Sequence, residues 1–192
     1  MSTNSPSPKS QWTVWGGLFL VGLTAVGLFV LSKVRVLPPT PPVIGKVSDF
    51  NLTNQFGHQI TLDSLRGKIW VADIIFTRCG GPCPAMTKTL SELQSALPNS
   101  PVKFISLTTD PEFDTPAVLK RYAERFGADS NRWWFLTGTK EEIGRLAIDG
   151  LKLTALEKDA SSRTDANDLF IHATLFVVVD RSGQLRAAVE GR

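Results

Sequence analysis

A chain of 192 residues, 42% hydrophobic and 20% charged, has room for one domain of ordinary size and one short extra segment. It contains only two cysteines, so a disulfide framework is excluded, and a domain of this size buries its core without one. The formal charge of +3 comes from Lys9, Lys33 and Arg35; from Val43 onward 18 basic residues meet 18 acidic ones, which excludes nucleic-acid binding driven by a basic surplus.

Residues 1–11 form a polar tail. No charge occurs between Ser10 and Ser32, and QWTVWGGLFLVGLTAVGLFVLS is long enough, at about 1.5 Å per residue, to cross a hydrocarbon core of about 30 Å. The pattern predicts a transmembrane anchor over 12–32, with Trp12 and Trp15 at an interface. A cleaved signal peptide is the alternative, but the run is longer than a signal core and no small-x-small site follows. Lys33, Arg35 and Lys46 after the span outnumber Lys9 before it, which by charge alone puts the following domain inside. Residues 33–42 form a linker. Its LPPTPP segment reads as a stiff spacer, because proline lacks the N–H and clashes with a preceding helical turn. Residues 43–192 are then one domain.

Within that domain, Phe50–Leu62 alternates around Asn54-Gln55-Phe56-Gly57 and predicts a hairpin. KIWVADIIFT (68–77) is nearly all apolar and β-branched, as a strand buried on both faces requires. Pro82–Leu97 is helical, with Met86, Leu90, Leu93 and Leu97 on one face. A strand over 101–109 is followed by a helix from Asp114-Thr115-Pro116, carrying Leu119, Tyr122 and Phe126. Then come a short strand at 132–136, a short helix at 140–148, a further strand at 151–154, and two strands, 174–180 and 184–189, joined at Arg181-Ser182-Gly183. The alternation predicts an α/β fold with a mainly parallel sheet and a terminal antiparallel hairpin, which is the thioredoxin-like order with an N-terminal hairpin and an insertion near 150–170.

The segment Thr77-Arg78-Cys79-Gly80-Gly81-Pro82-Cys83-Pro84 joins the buried strand to the amphipathic helix. A helix N-terminus offers partial positive charge and free N–H groups that stabilise thiolates. With Cys79 at the helix start, the spacing of four turns both sulfurs the same way, in line with Met86 and Leu90. Gly-Gly-Pro is a tight-turn composition and argues against two inert core cysteines. Thiolates are soft donors that select Cu(I) over hard cations, and two of them leave room for a third ligand. His172, just before the strand at 174–180, is a candidate, since imidazole ligates copper well, although a lone histidine is commonly structural. His58 reads as a solvated turn residue. Asp73 interrupts the apolar strand six residues before Cys79. A carboxylate is costly to bury without a partner, so Asp73 reads either as a half-buried group near the sheet edge or as a proton relay for the thiols.

Four segments carry a resemblance: Phe76-Thr77-x-Cys79-x-x-x-Cys83-Pro84, Thr109-Asp110-Pro111-Glu112-x-Asp114-Thr115-Pro116, Leu136-Thr137-Gly138-Thr139 and Ile171-His172-x-Thr174. In order and spacing, over about residues 43–190, they resemble the Sco/SenC family. The resemblance implies a copper chaperone that binds Cu(I) or Cu(II) through Cys79, Cys83 and His172 and assists assembly of the dinuclear copper site of cytochrome c oxidase. The implied partners are oxidase subunit II or a similar copper apoprotein, and a copper donor. The alternative is a membrane-tethered thiol-disulfide oxidoreductase that reduces the oxidase cysteines, with Cys79 and Cys83 as redox pair and Asp73 as proton relay. The tail before the span lacks the arginine-rich character of a transit peptide, so a single-pass protein of a bacterial inner membrane, its domain in the periplasm, is expected over the charge count. The Asp-Pro-x-x-Asp-Thr-Pro motif receives no ligand role, because a turn plus a helix cap accounts for it. Gly80 departs from the family, which usually has proline after the first cysteine; the loop resembles the Cys-Gly-Pro-Cys of thioredoxins with one glycine added, and Asp73 has the offset of their buried aspartate. A thioredoxin-like domain normally ends in a helix. The sequence stops at Arg192, so that helix is expected to be absent, leaving Leu185, Ala187 and Val189 as an uncovered apolar strip.

Overall fold

The apolar run at 68–77 becomes a central strand, and the domain is arranged around it. In the computed structural model, which describes residues 8–33, 40–153, 155–157, 161, 170–172 and 174–191, this strand is β4 (Trp70–Ile75), buried at every residue. Before it come α1 (Pro8–Lys33), β1 (Gly45–Lys46), the hairpin β2 (Asn51–Asn54) and β3 (Gln59–Thr61), and a short helix α2 (Leu62–Leu65). After it come α3 (Pro82–Ala96), β5 (Lys103–Thr108), α4 (Pro116–Arg125), β6 (Trp133–Thr137) and α5 (Lys140–Gly144), which runs into a π-helical segment, Arg145–Gly150. The chain then forms β7 (Ala155–Glu157), β8 (Phe170–His172), β9 (Leu175–Val179) and β10 (Gln184–Glu190).

Eight strands make one sheet in the order β1-β10-β9-β4-β5-β6-β2-β3. The pairs β4–β5 and β5–β6 are parallel and the other five antiparallel, so the arrangement is the mixed α/β one of a thioredoxin-like domain. The sheet is not mainly parallel as the alternation predicted, because the N-terminal strands β1 and β2–β3 and the terminal hairpin all join it antiparallel. Side chains alternate across the sheet, so β4 serves two cores. Ala72 and Ile74 join Ile105, Leu136, Ile143, Leu146 and Val179 on the side of α5. Val71 and Ile75 join Phe104, Trp133, Met86, Leu90, Leu119 and Tyr122 on the side of α3 and α4. Burying each of these large side chains contributes about 1.5–3 kcal/mol.

Several expectations need correction. Of the strand expected at 151–154, the described residues 151–153 are not a strand. Leu151 and Leu153 are buried in a turn whose N–H groups bond Leu146 O and Ala147 O, both at 2.8 Å, and Lys152 adopts a left-handed φ of 59°. The strand is β7, three residues long, paired with β8 in a separate two-stranded sheet. The buried stripe of α3 runs through Cys83, Met86, Thr87, Leu90 and Gln94, and Leu93 is exposed. Gln94 takes the inward place because its amide donates to Gly127 O (3.1 Å) and accepts from Asp129 N (2.8 Å). The strip expected at 185–189 is not one face, because the register of β10 on β9 shifts between Leu185 and Ala187. Leu185 is buried and Val189 exposed. Asp73 is not near a sheet edge: β4 is flanked by β9 and β5, and Asp73 is fully buried.

Two compact units divide the chain, residues 1–40 and 41–192. The anchor expected over 12–32 falls on α1. Among the described residues no helix is long and apolar enough to cross a membrane. Within α1 the side chains at 8–11, 13, 14, 16, 30, 31 and 33 lie outside that set.

Candidate metal centre at the cysteine loop

The end of β4 sets the site. After Ile75 the chain turns, Cys79 N donating to Phe76 O at 3.1 Å, and α3 begins at Pro82 with Gly81 as its N-cap. Cys79 therefore lies three residues ahead of the helix, not at its start as the spacing suggested. Cys83 is in the first turn, where unsatisfied N–H groups gather. Both are free thiols; Cys83 has no exposed surface and Cys79 is 8% exposed. The two sulfurs are within hydrogen-bonding reach. That bond from Cys79, then burial, then the charges of Cys79 and Asp73, push the Cys83 thiol far up, while a backbone group of Phe76 pulls it down. Without a cation nearby, Cys83 keeps its proton at neutral pH.

Asp73 sits between Val71 and Ile75 on the strand face that carries the cysteines, opposite Ser106 of β5. Below it lies a buried hydroxyl pair. Thr87 Oγ1 donates to Cys83 O (2.9 Å) and lies 3.0 Å from the Tyr122 hydroxyl. Thr87 has one proton and gives it to the carbonyl, so Tyr122 donates to Thr87. Burial raises the Tyr122 phenol, against its bond to Thr87, and the charges of Cys83, Asp73 and Cys79 raise it further. Asp73, Cys79, Cys83 and Tyr122 are thus four buried acids, and the charges of Asp73 and Cys79 oppose the ionisation of Cys83 and Tyr122. A soft cation relieves that opposition, and the two thiols are soft donors shielded from water, so the residues fit such a cargo.

Sequence reasoning read the turn at 110–114 as a turn with a helix cap and missed that it bonds to this loop. Asp114, fully buried, accepts from Thr77 N (3.1 Å) and from the hydroxyls of Thr77 and Thr108. Burial raises its carboxyl, and the bonds from Thr108 and Thr77 oppose the rise. Asp110 accepts from Arg78 Nε (3.2 Å) and Nη2 (2.5 Å). The motif was visible, but its partners at Thr77 and Arg78 are 37 and 32 residues away, with no local signal. Thr115 also caps α4, as expected.

The third predicted ligand, His172, ends β8, with its backbone opposite Ala155 of β7. Its side chain lies outside the described residues, and among the described residues no group of three His, Cys, Asp or Glu is gathered for a metal. His58 is exposed beside Phe56 in the hairpin at the outer sheet edge and does not join the cysteines.

A profile of the SCO1/SenC family matches residues 41–192. The SCO1 protein homolog of Bacillus subtilis is 36% identical over 147 residues, covering 75% of this chain and 73% of that protein. The solved structure of BsSco, described as a member of the Sco family of cytochrome c oxidase assembly proteins with a disulfide switch, has a TM-score of 0.67 at 34% identity, covering 79% of this chain and 86% of that one. Bradyrhizobium japonicum ScoI, solved with copper bound, has a TM-score of 0.67 at 27% identity, covering 77% of this chain and 91% of its own.

Proposed function

The chain belongs to the SCO1/SenC family, and from that premise we propose that it carries copper on Cys79, Cys83 and His172 to a cytochrome c oxidase under assembly. Copper is the cargo; the receiver is a copper apoprotein such as oxidase subunit II, and a separate donor loads the site. The observation that carries the reading is the buried thiol pair, whose neighbours Asp73 and Tyr122 are also acids, so that a bound cation replaces protons that the bond between the cysteines and burial otherwise retain. Cu(I) suits two thiolates, and an imidazole makes the set suitable for Cu(II) as well. The relative solved with copper supports this choice.

The second reading, a thiol-disulfide oxidoreductase acting on the same oxidase, is favoured by one observation. Asp73 lies buried on the face of the cysteines, where it can take a proton when a thiol attacks. The readings share residues and separate by mutation. Titration of the full chain with each copper state, beside a disulfide-exchange rate, tests them. His172→Ala should weaken Cu(II) most, keep much of the Cu(I) affinity and leave exchange intact, since exchange depends on thiolate fraction and access. Asp73→Asn should slow exchange and keep copper. Wild-type affinity for both copper states in His172→Ala would remove the metal site as drawn and leave the oxidoreductase.

The domain works tethered, in this proposal, with residues 12–32, part of whose side chains lie outside the described set in which no span is found, as a single span of a bacterial inner membrane and residues 43–192 in the periplasm. In support, Leu18, Phe19, Leu20, Val21, Leu23, Val26 and Phe29 are all exposed, and consecutive positions occupy every side of a helix, as in a span that faces lipid. A reporter fused after Arg192 should be active only outside the cytoplasm.

A further inference from the structure

One turn holds both residues that precede Cys79. Asp114 binds the N–H and hydroxyl of Thr77, and Asp110 binds two nitrogens of Arg78. The Arg78 guanidinium also lies 4.2 Å from the centre of the Phe113 ring, and Asp110 is itself buried, its N–H bonded to Thr108 Oγ1 at 3.0 Å. Arg78 is thus fixed both through its donors and through its flat face. Beyond Cys79 the backbone is bare: a Cβ at Gly80 would meet no atom within 4 Å. Cys83 is fixed separately, in the first buried turn of α3. How closely the sulfurs are kept together therefore depends on how firmly the Cys79 end is held. Arg78 is an exposed link of that hold, pinned to the buried Asp110, and it fills the unspecified position of the Phe-Thr-x-Cys pattern.

We propose that Arg78, locked onto Asp110 and Phe113, is a positioning residue that sets the effective concentration of the Cys79 thiol at Cys83. The inference rests on the reading of the two cysteines as the working pair. Groups held at fixed geometry act as one site, and loosening either lowers their effective concentration without removing a ligand. Both reactions of the pair depend on that quantity. Forming the disulfide removes two electrons and two protons from the thiols, which oxidised dithiothreitol accepts as it opens to its dithiol. Binding Cu(I) on both sulfurs releases the thiol protons to buffer. One factor must therefore appear in both measurements.

The test uses the full chain in detergent as wild type, Arg78→Ala, Arg78→Lys, Asp110→Asn and the double variant Arg78→Ala/Asp110→Asn. The disulfide is equilibrated in a dithiothreitol redox buffer, and Cu(I) is competed against a colorimetric chelator. In Arg78→Ala the disulfide equilibrium constant should fall about tenfold, a rise of about 30 mV in potential, with a similar factor lost in Cu(I) retention. Asp110→Asn should move both the same way, and the double variant should be no worse than either single one, as for one coupled pair. Arg78→Lys keeps the charge but not the planar fork or the stacking, and should recover only part. A purely electrostatic role predicts opposite shifts, because Arg78→Ala removes a charge beside Cys79 while Asp110→Asn frees it; that outcome overturns the proposal. So does a lowered Tm with potential and Cu(I) retention unchanged. Wild-type protein that neither forms the disulfide nor retains Cu(I) would instead remove the reading of the cysteine pair, and the proposal with it.

Discussion

At the ends of β4 and β5 nearest the cysteine loop, Asp73, Asp110, Asp114, Cys79, Cys83 and Tyr122 are all buried. At the opposite ends, Lys68 and Lys103 lie 5.9 and 5.3 Å from the centre of the Trp134 ring, and Arg132 lies 5.8 Å from that of Phe104. Burial, and then the charge of Lys68, lower the Lys103 ammonium. The basic groups resolve their crowding locally. Lys68 donates to Ser64 O at 2.7 Å, and Arg132 donates to the carbonyls of Gln94 and Leu97, closing the C-terminal end of α3. The acidic pole has fewer exits, because the proton of Cys83 is held by its bond with Cys79 and by burial, and that of Tyr122 by burial. A formally neutral domain thus hides two unlike poles. One is closed largely by its own hydrogen bonds, with only Arg132 Nε left over among these described basic groups, and the other, in the proposed function, is completed by protons or by a cation.

The sharpest way to break this contrast is to remove a sulfur. Cys83→Ala should lower copper retention at least about 100-fold, at or beyond the upper end of the 10–100-fold range for losing an outer partner of a metal site. A chelator competition checks this, and retention within tenfold of wild type would end the special status of this pole. Next in size is Asp114→Ala, which strands the Thr77 N–H and two hydroxyls in a buried place and should cost about 2 kcal/mol in a denaturant titration. At the basic pole, Lys103→Ala should change stability by no more than about 0.5 kcal/mol, because its head group is near solvent. Equal losses at the two poles would erase the distinction.

Much of this was legible in the sequence, for physical reasons that differ by region. β4 was readable because a run so rich in apolar and β-branched residues has few alternatives even with Asp73 in it, and the loop because Gly-Gly-Pro between two cysteines suits no core. The stripe of α3 was misread at Leu93 because the inward residue is the polar Gln94, chosen by bonds to residues 33 and 35 positions away. The strand at β7 was misplaced by a few residues because Lys152 takes a left-handed turn that its side chain does not announce. The motif of Asp110 and Asp114 was read as a turn and a cap, since Asp110 O closes the turn and Thr115 caps α4 while the carboxylates' partners at Arg78 and Thr77 are remote. His172 came from a resemblance; from residue chemistry alone it was one histidine before a strand.

Another small effect is expected at the Lys68 end of the sheet, in the turn between β9 and β10, where Gly67 N donates to Arg181 O. Burial pushes the Asp180 carboxyl up, but bonds from Gln184 N (2.9 Å), Arg186 Nε (2.7 Å) and Ser182 N (2.8 Å) outweigh it and hold it below the usual carboxylate range. Its contribution is therefore present above the unfolded value of about 3.9 and is lost as pH falls through the lower folded value. The partly exposed pair with Arg186 is worth under about 1 kcal/mol. Amide exchange at Ser182 and Gln184, corrected for intrinsic rates, should lose protection only in that acid range; loss already near neutral pH would contradict the assignment.

The most direct test of the central claim is X-ray absorption at the copper edge on the loaded full chain, wild type beside His172→Ala. Two sulfur neighbours in both proteins, with an imidazole nitrogen present in wild-type Cu(II) protein and missing in the variant, is the predicted result. A shell of nitrogen and oxygen alone, or spectra identical in the two proteins, would contradict it.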